Sequence, residues 1–274
     1  MDEPWFPMVQ SRKSVQAGRF GALDIVAGNA HMTKAAPKLG GIFPETQWSA
    51  IMAARSSDQN QRRMAFDRIT RAYWKPVYKY IRAKWNKSPH DAEDLTQEFF
   101  ARVIDKNFLA GYDPAKARLR TFLRSCVDAL VQNQHRSAGA QKRGGSAPTL
   151  SLDFELAEGE LKRTGLPAPE SIEDFFEKEW VRSVFEMAVD RLSSECKTSG
   201  RILHFRLFER YDLDADEQDT SYADLALEFN IARTDVTNYL AYARREFRRI
   251  TLDLLREMTS SEQEFRHEAR ALMR

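Results

Sequence analysis

From Trp48 to Ile81 bulky side chains recur at steps of three and four: Trp48, Ile51 and Met52, then Phe66, Ile69, Tyr73, Val77, Tyr80 and Ile81. Such spacing stacks side chains on one face of a helix, whereas a strand alternates faces every second residue. The helical step returns at Phe175, Phe176, Trp180, Val184, Phe185, Ala188 and Leu192, and again through Leu203, Leu207 and Tyr211. No segment alternates convincingly, so the chain is expected to be all-α. Pro76 falls inside the first pattern. Its missing N–H and ring clash cost about 3 kcal/mol in a helix interior, which predicts a kink or break just before it.

With 274 residues the chain has room for two domains, each able to bury a core. Residues 1–44 mix Gly, Pro, Ala and scattered charge without period and read as a flexible extension. A first helical domain is expected over 45–140. Within it, Ser88-Pro89-His90-Asp91 has the order of a helix start, and a further helix is expected from about Leu119 to Arg136. Gly144, Gly145, Pro148, Pro167 and Pro169 surround the acidic Asp153, Glu155, Glu158 and Glu160, so 141–170 reads as a flexible acidic linker. A second helical domain is expected over 171–258, followed by a tail over 259–274.

Composition removes several classes of function. The 42 basic residues against 40 acidic ones give a net charge of +2, so partners must be read from local clusters. Cys126 and Cys196 form no CxxC and have no neighbouring histidine, which argues against a disulfide framework or a zinc site. No apolar run approaches the roughly 20 residues needed to span a bilayer, and the start MDEPWFPMVQSRK lacks the layout of an export signal. The expectation is a cytoplasmic protein with no membrane insertion.

Three segments carry chemistry. The first is Ser221 to Arg249. Ser221 or Thr220 can cap a short helix, Ala226 is small enough for a second helix to approach, and Asn230 tolerates a left-handed turn. Leu225, Ile231, Val236 and Leu240 would close a small core. In this helix-turn-helix reading the second helix enters the major groove. Arg233, Thr234, Thr237, Asn238 and Ala241 then face base edges, while Arg244, Arg245, Arg248 and Arg249 lie along phosphates.

The second segment, Asp91 to Val103, is amphipathic: Leu95, Phe99 and Val103 share one side, and Asp91, Asp94 and Glu98 another. A carboxylate-bridged di-metal site wants a Glu-x-x-His motif on each of two helices, a pairing the chain lacks. The third segment, Pro114 to Arg143, sets Lys116, Arg118, Arg120, Arg124, Arg136, Lys142 and Arg143 against Asp128 alone. Phe122, His135, Gln132, Asn133 and Gln134 are interleaved. Cations among aromatic and amide groups suit single-stranded or distorted DNA.

In order and spacing these segments resemble the extracytoplasmic-function sigma factors of bacterial RNA polymerase over about residues 45–258. The resemblance is carried by DAEDLTQEFFARV at 91–103, YDPAKARLRTFLR at 112–124, RSAGAQKRGG at 136–145 and the 221–249 segment. It implies a region 2-like helical bundle and a region 4-like helix-turn-helix. It also implies that Asp91, Asp94, Gln97, Glu98 and Arg102 meet core RNA polymerase. Lys116, Arg118, Arg120 and Arg124, with Gln132, Asn133 and Arg136, would take the −10 element of promoter DNA, and the 233–248 set the −35 element. Asp128 and Gln132 stand where Asn and Asp are common in that family. Some relatives lack the acidic charges and need phosphorylation to bind polymerase; Asp91, Glu93 and Asp94 imply competence without it. That competence holds unless an anti-sigma factor, another regulatory protein or the chain's own extensions mask it. In the polymerase complex the protein would sit on the nucleoid.

Two readings compete with this one. A helix-turn-helix regulator that never joins polymerase would need only the 221–249 segment. A nucleic-acid enzyme would need converging carboxylates or an activated nucleophile. His31, His90, His135, His204 and His267 are scattered and no phosphate-cradling glycine loop is present, so no catalytic residue, metal or cofactor is expected.

Overall fold

The fold is given by a computed structural model, which describes Ala54 and residues 58–104, 108–137, 151–167, 171–214 and 220–272. All regular structure among them is helical. The extension 1–44, the apolar Trp48, Ile51 and Met52, and the cations Lys142 and Arg143 lie outside the described residues.

The first unit is built on α1 (Gln59–Trp85), α2 (Pro89–Val103), a 3₁₀ turn (Phe108–Gly111) and α3 (Leu119–Ser137). Asp58 caps α1 by accepting the Asn60 and Gln61 N–H groups, and Asn86 ends it in a left-handed conformation at φ 45°. The expected break at Pro76 does not occur, and α1 runs through it. Packing is the reason. Ile69, Tyr73, Val77, Tyr80 and Ile81 are fully buried around the proline. At about 1.5–3 kcal/mol for each large apolar side chain removed from water, they outweigh one lost hydrogen bond and a ring clash. The start of α2 is as expected: Ser88 accepts the Asp91 N–H at 3.1 Å and Pro89 opens the helix.

The linker span carries a helix, α4 (Phe154–Thr164), capped by Asp153. Its Ala157 and Leu161 are buried, and Phe154 meets the rings of Trp74 and Tyr78 at 5.7 and 5.2 Å. Then follow α5 (Ile172–Thr198), α6 (Ile202–Phe208) with a π turn at Glu209–Leu213, α7 (Tyr222–Glu228), α8 (Arg233–Glu257) and α9 (Glu262–Leu272).

The two helical units share α5. One end of it packs on α1, with Trp180 stacked on Tyr73 at 6.2 Å and Phe176 edge-on to Tyr80 at 5.4 Å. Further along, Phe185 stacks on Phe247 of α8 at 5.8 Å, and Phe208 closes on the same ring at 5.3 Å. The apolar core is therefore continuous from α1 to α8.

Candidate functional site

The acidic face of α2 is turned outward. Leu95, Phe99 and Val103 are buried, which leaves Asp91 and Asp94 exposed and Glu93, Gln97 and Glu98 half-exposed. Bonds within this face are local. Asp91 Oδ2 accepts from the Ser88 hydroxyl at 2.7 Å, Asp94 lies 3.4 Å from His90, and Arg102 pairs with Glu98 one turn back. Gln134 of α3 donates to Glu98 at 3.2 Å and ties the two helices together. Ion pairs this exposed contribute at most about 1 kcal/mol each, so the face remains available to a partner.

The basic residues of α3 meet a different environment. Lys116 is exposed and lies 3.5 Å from Asp113, and Gln132 and Asn133 are exposed. Arg120 is 7% exposed, with its guanidinium 4.5 Å above the Trp180 ring. It pairs through Nε with Glu177 of α5 and through Nη1 with Glu268 of α9, at 2.7 Å in the second case. Arg118 reaches Glu268 at 3.2 Å and His267 at 2.6 Å, and Arg124 reaches Glu173 at 3.0 Å. Burial works against the Arg120 charge, but Glu268 and Glu177 more than restore it. Burial pushes the Glu177 carboxyl up; Arg120 opposes the shift and Glu268 adds to it. Phe122 is half-buried and packs against Phe108 and Tyr112 at 5.8 and 5.3 Å. Asp128 accepts from Tyr80, Lys84 and Trp85. The helix extends over Arg136, whose side chain lies outside the described residues.

A second set of pairs joins α1 to α4 and α5. Lys75, Lys79 and Arg82 are spaced i, i+4 and i+7, so they share one helical face. Lys75 holds Glu160 and Glu186, both at 2.8 Å; Lys79, 1% exposed, holds Glu160 and Glu179; Arg82 holds Glu158 at 2.8 Å. Burial pushes Glu160 up, yet Lys79 and Lys75 outweigh it and hold the carboxyl below the ordinary range. The hydrogen bond from Arg82 does the same for Glu158 against its burial. Sequence reasoning missed this network. The signal was there in the three cations on one face of an aromatic helix and the acids of the 153–160 stretch.

Residues 69–141 match the family model of sigma-70 region 2. The chain carries a sigma-70 region 2. No curated protein and no solved structure matches the chain. Region 2 thus begins within α1, includes the whole acidic face of α2, and takes in Lys116, Arg118, Arg120, Arg124, Gln132, Asn133 and Arg136 on and before α3. The carboxylates that cover its arginines, Glu173, Glu177 and Glu268, come from outside it.

Beyond region 2, α7 and α8 follow the expected pattern. Ser221 and Asp224 form a reciprocal cap, Asn230 turns the chain at φ 52°, and Leu225, Val236 and Leu240 are fully buried. Arg233, Thr234, Thr237, Asn238, Ala241, Arg245 and Arg248 are exposed. Arg244 is held differently. It binds Asp212 of the π turn at 2.9 Å, receives support from Tyr222, and lies over the Tyr211 ring. Burial raises the Asp212 carboxyl and Arg244 offsets part of that rise. Arg249 pairs with Glu246 at 2.8 Å and Asp253 at 3.0 Å, and also with Glu195 of α5. Among the described residues no three His, Cys, Asp or Glu side chains gather as metal ligands would, and no helix is long and apolar enough to cross a membrane.

Proposed function

We propose that the chain is a sigma factor of the extracytoplasmic-function type, a non-enzymatic initiation factor that joins core RNA polymerase and directs it to promoters. The observation that carries this reading is the region 2 match over 69–141, which includes the exposed acidic face of α2. In this reading Asp91, Asp94, Gln97, Glu98 and Arg102 form the core-binding surface. Charge complementarity would steer a basic element of polymerase onto it and set the register. Lys116, Arg118, Arg120, Arg124, Gln132, Asn133 and Arg136 engage the −10 strand. Arg233, Thr234, Thr237, Asn238 and Ala241 read the −35 duplex from the first turns of α8, while Arg245 and Arg248 neutralise phosphate. Arg244 supports this surface from behind, because its guanidinium is taken up by Asp212. The sites of action are the cytoplasm and the nucleoid.

The test is reconstitution with bacterial core polymerase, followed by run-off transcription on a genomic fragment library. The full chain is expected to co-elute with core and to yield discrete start sites. Asp94→Lys is expected to weaken core association about 10- to 100-fold, which corresponds to about 1.4–2.7 kcal/mol. If the wild-type chain binds duplex DNA but neither joins core nor yields transcripts, it is a regulator acting through α7 and α8 alone.

A further inference from the structure

The cations that begin α3 are already engaged by anions, and the anions belong to the same chain. One carboxylate, Glu268, sits between two guanidiniums: Oε1 lies 3.2 Å from Arg118 Nη1 and Oε2 2.7 Å from Arg120 Nη1. A single anion bridging two arginines is the arrangement a backbone phosphate makes, since carboxylate and phosphate accept from the guanidinium fork in the same way. Glu177 takes the remaining edge of Arg120, and Glu173 takes Arg124.

These contacts are poorly suited to being simple stabilising struts. Arg120 and Glu268 are 7% and 2% exposed, and taking a charge pair out of water costs about as much as its attraction returns. The element that delivers Glu268 is only 11 residues long, below the length at which a helix is stable by itself. It hangs from α8 by a short turn at Thr259–Ser261 and is seated through Phe265, on which Arg256 lies at 4.1 Å, with Ala269 and Leu272 partly buried against the core. The helix is a terminal addition to α8 and forms no part of the α1–α5 packing.

We propose that α9 is a built-in stand-in for DNA: in the free chain Glu268, backed by Glu177, occupies the strand-binding surface of region 2 and must leave before Arg118 and Arg120 can hold a strand. This rests on reading the basic face of α3 as that surface. The apparent strand affinity of the free chain is then the intrinsic affinity reduced by the fraction of molecules with α9 undocked. The acidic face of α2 lies outside the contact, so joining polymerase does not depend on release of α9.

The experiment uses the full chain and a fluorescein-labelled 20-nucleotide single strand of random sequence, followed by anisotropy. Glu268→Gln is expected to bind about tenfold or more tightly than wild type, because the amide keeps the shape and loses the charge. Glu262→Gln makes the same change in net charge on the same helix, where Glu262 pairs only locally with Arg266 at 2.9 Å; it is expected to stay near wild type. Arg120→Ala added to Glu268→Gln should remove the gain. Equal affinities for the two single Gln variants overturn the proposal. A second measurement needs no variant. Deuterium uptake across 262–272 of the wild-type chain should rise when saturating strand is added, and unchanged uptake also overturns the proposal. Core association of Glu268→Gln separates the two readings. If the variant joins core without gaining strand affinity, the stand-in fails and the sigma factor stands. If it gains affinity without joining core, the reverse holds.

Discussion

Region 2 presents two charged surfaces in opposite states. The carboxylates of α2 face solvent and bond within their own helix cap and face or to Gln134, whereas Lys75, Lys79, Arg82, Arg118 and Arg120 are covered by carboxylates from α4, α5 and α9. The difference follows from where the covering charge lies in sequence. The acids after residue 150 fold back onto the basic side, and among the described residues no comparable cationic element folds onto α2. A chain of nearly balanced charge can thus keep one charged surface exposed by neutralising the other from within.

The largest expected effect is on the basic side. Lys79 is buried between Glu160 and Glu179, so Lys79→Ala takes the shared cation from two largely buried carboxylates and leaves each with one, Lys75 and Arg182. Urea denaturation should show a loss of about 3–5 kcal/mol. A loss below about 1 kcal/mol would mean that α4 is not committed to α1, and the contrast with α2 would break. A smaller loss is expected in acid. Glu158 and Glu160 are held below the ordinary carboxylate range in the fold, so their contribution is complete above the unfolded value of about 4.3 and disappears as pH falls through the lower folded value. Chemical denaturation between pH 6 and pH 3 should therefore show a decline that steepens below about pH 4.3 and is reduced in Lys79→Met. The smallest effect is expected at Arg124, whose partner Glu173 is 68% exposed. Arg124→Ala should change stability by less than about 1 kcal/mol in the same urea assay. A larger change would extend the buried clamp further along α3.

What could be read directly from the sequence was local. Ser88, Pro89 and Asp91 announce α2, and Ser221, Asp224 and Asn230 announce α7 and its turn, because a cap or a left-handed residue acts within four positions of itself. The apolar stripe of α1 was equally plain, and Pro76 did not break it: propensity speaks for a single helix, and here the burial of Tyr73, Val77 and Tyr80 against other elements decided. The covering of Arg120 was hidden, since its partner Glu268 stands 148 positions away and nothing in either local sequence names the other. The hold on Arg244 was hidden for a related reason. In a run of arginines at 244, 245, 248 and 249, only the buried Asp212 sets one apart from the rest. The linker reading took acidity and proline to mean an unstructured span, while Ala157 and Leu161 give α4 an apolar side that α1 can receive.

At 25 residues, α8 is a rod of about 37 Å. Its first turn carries Arg233 and Thr234, and its last turn reaches Glu257, beside the turn that leads into α9. A stiff rod has only one bearing at a time. Whatever surface aligns its leading end also sets the heading of its trailing end, so the turn before α7's partner helix and the turn into α9 share a single mechanical axis.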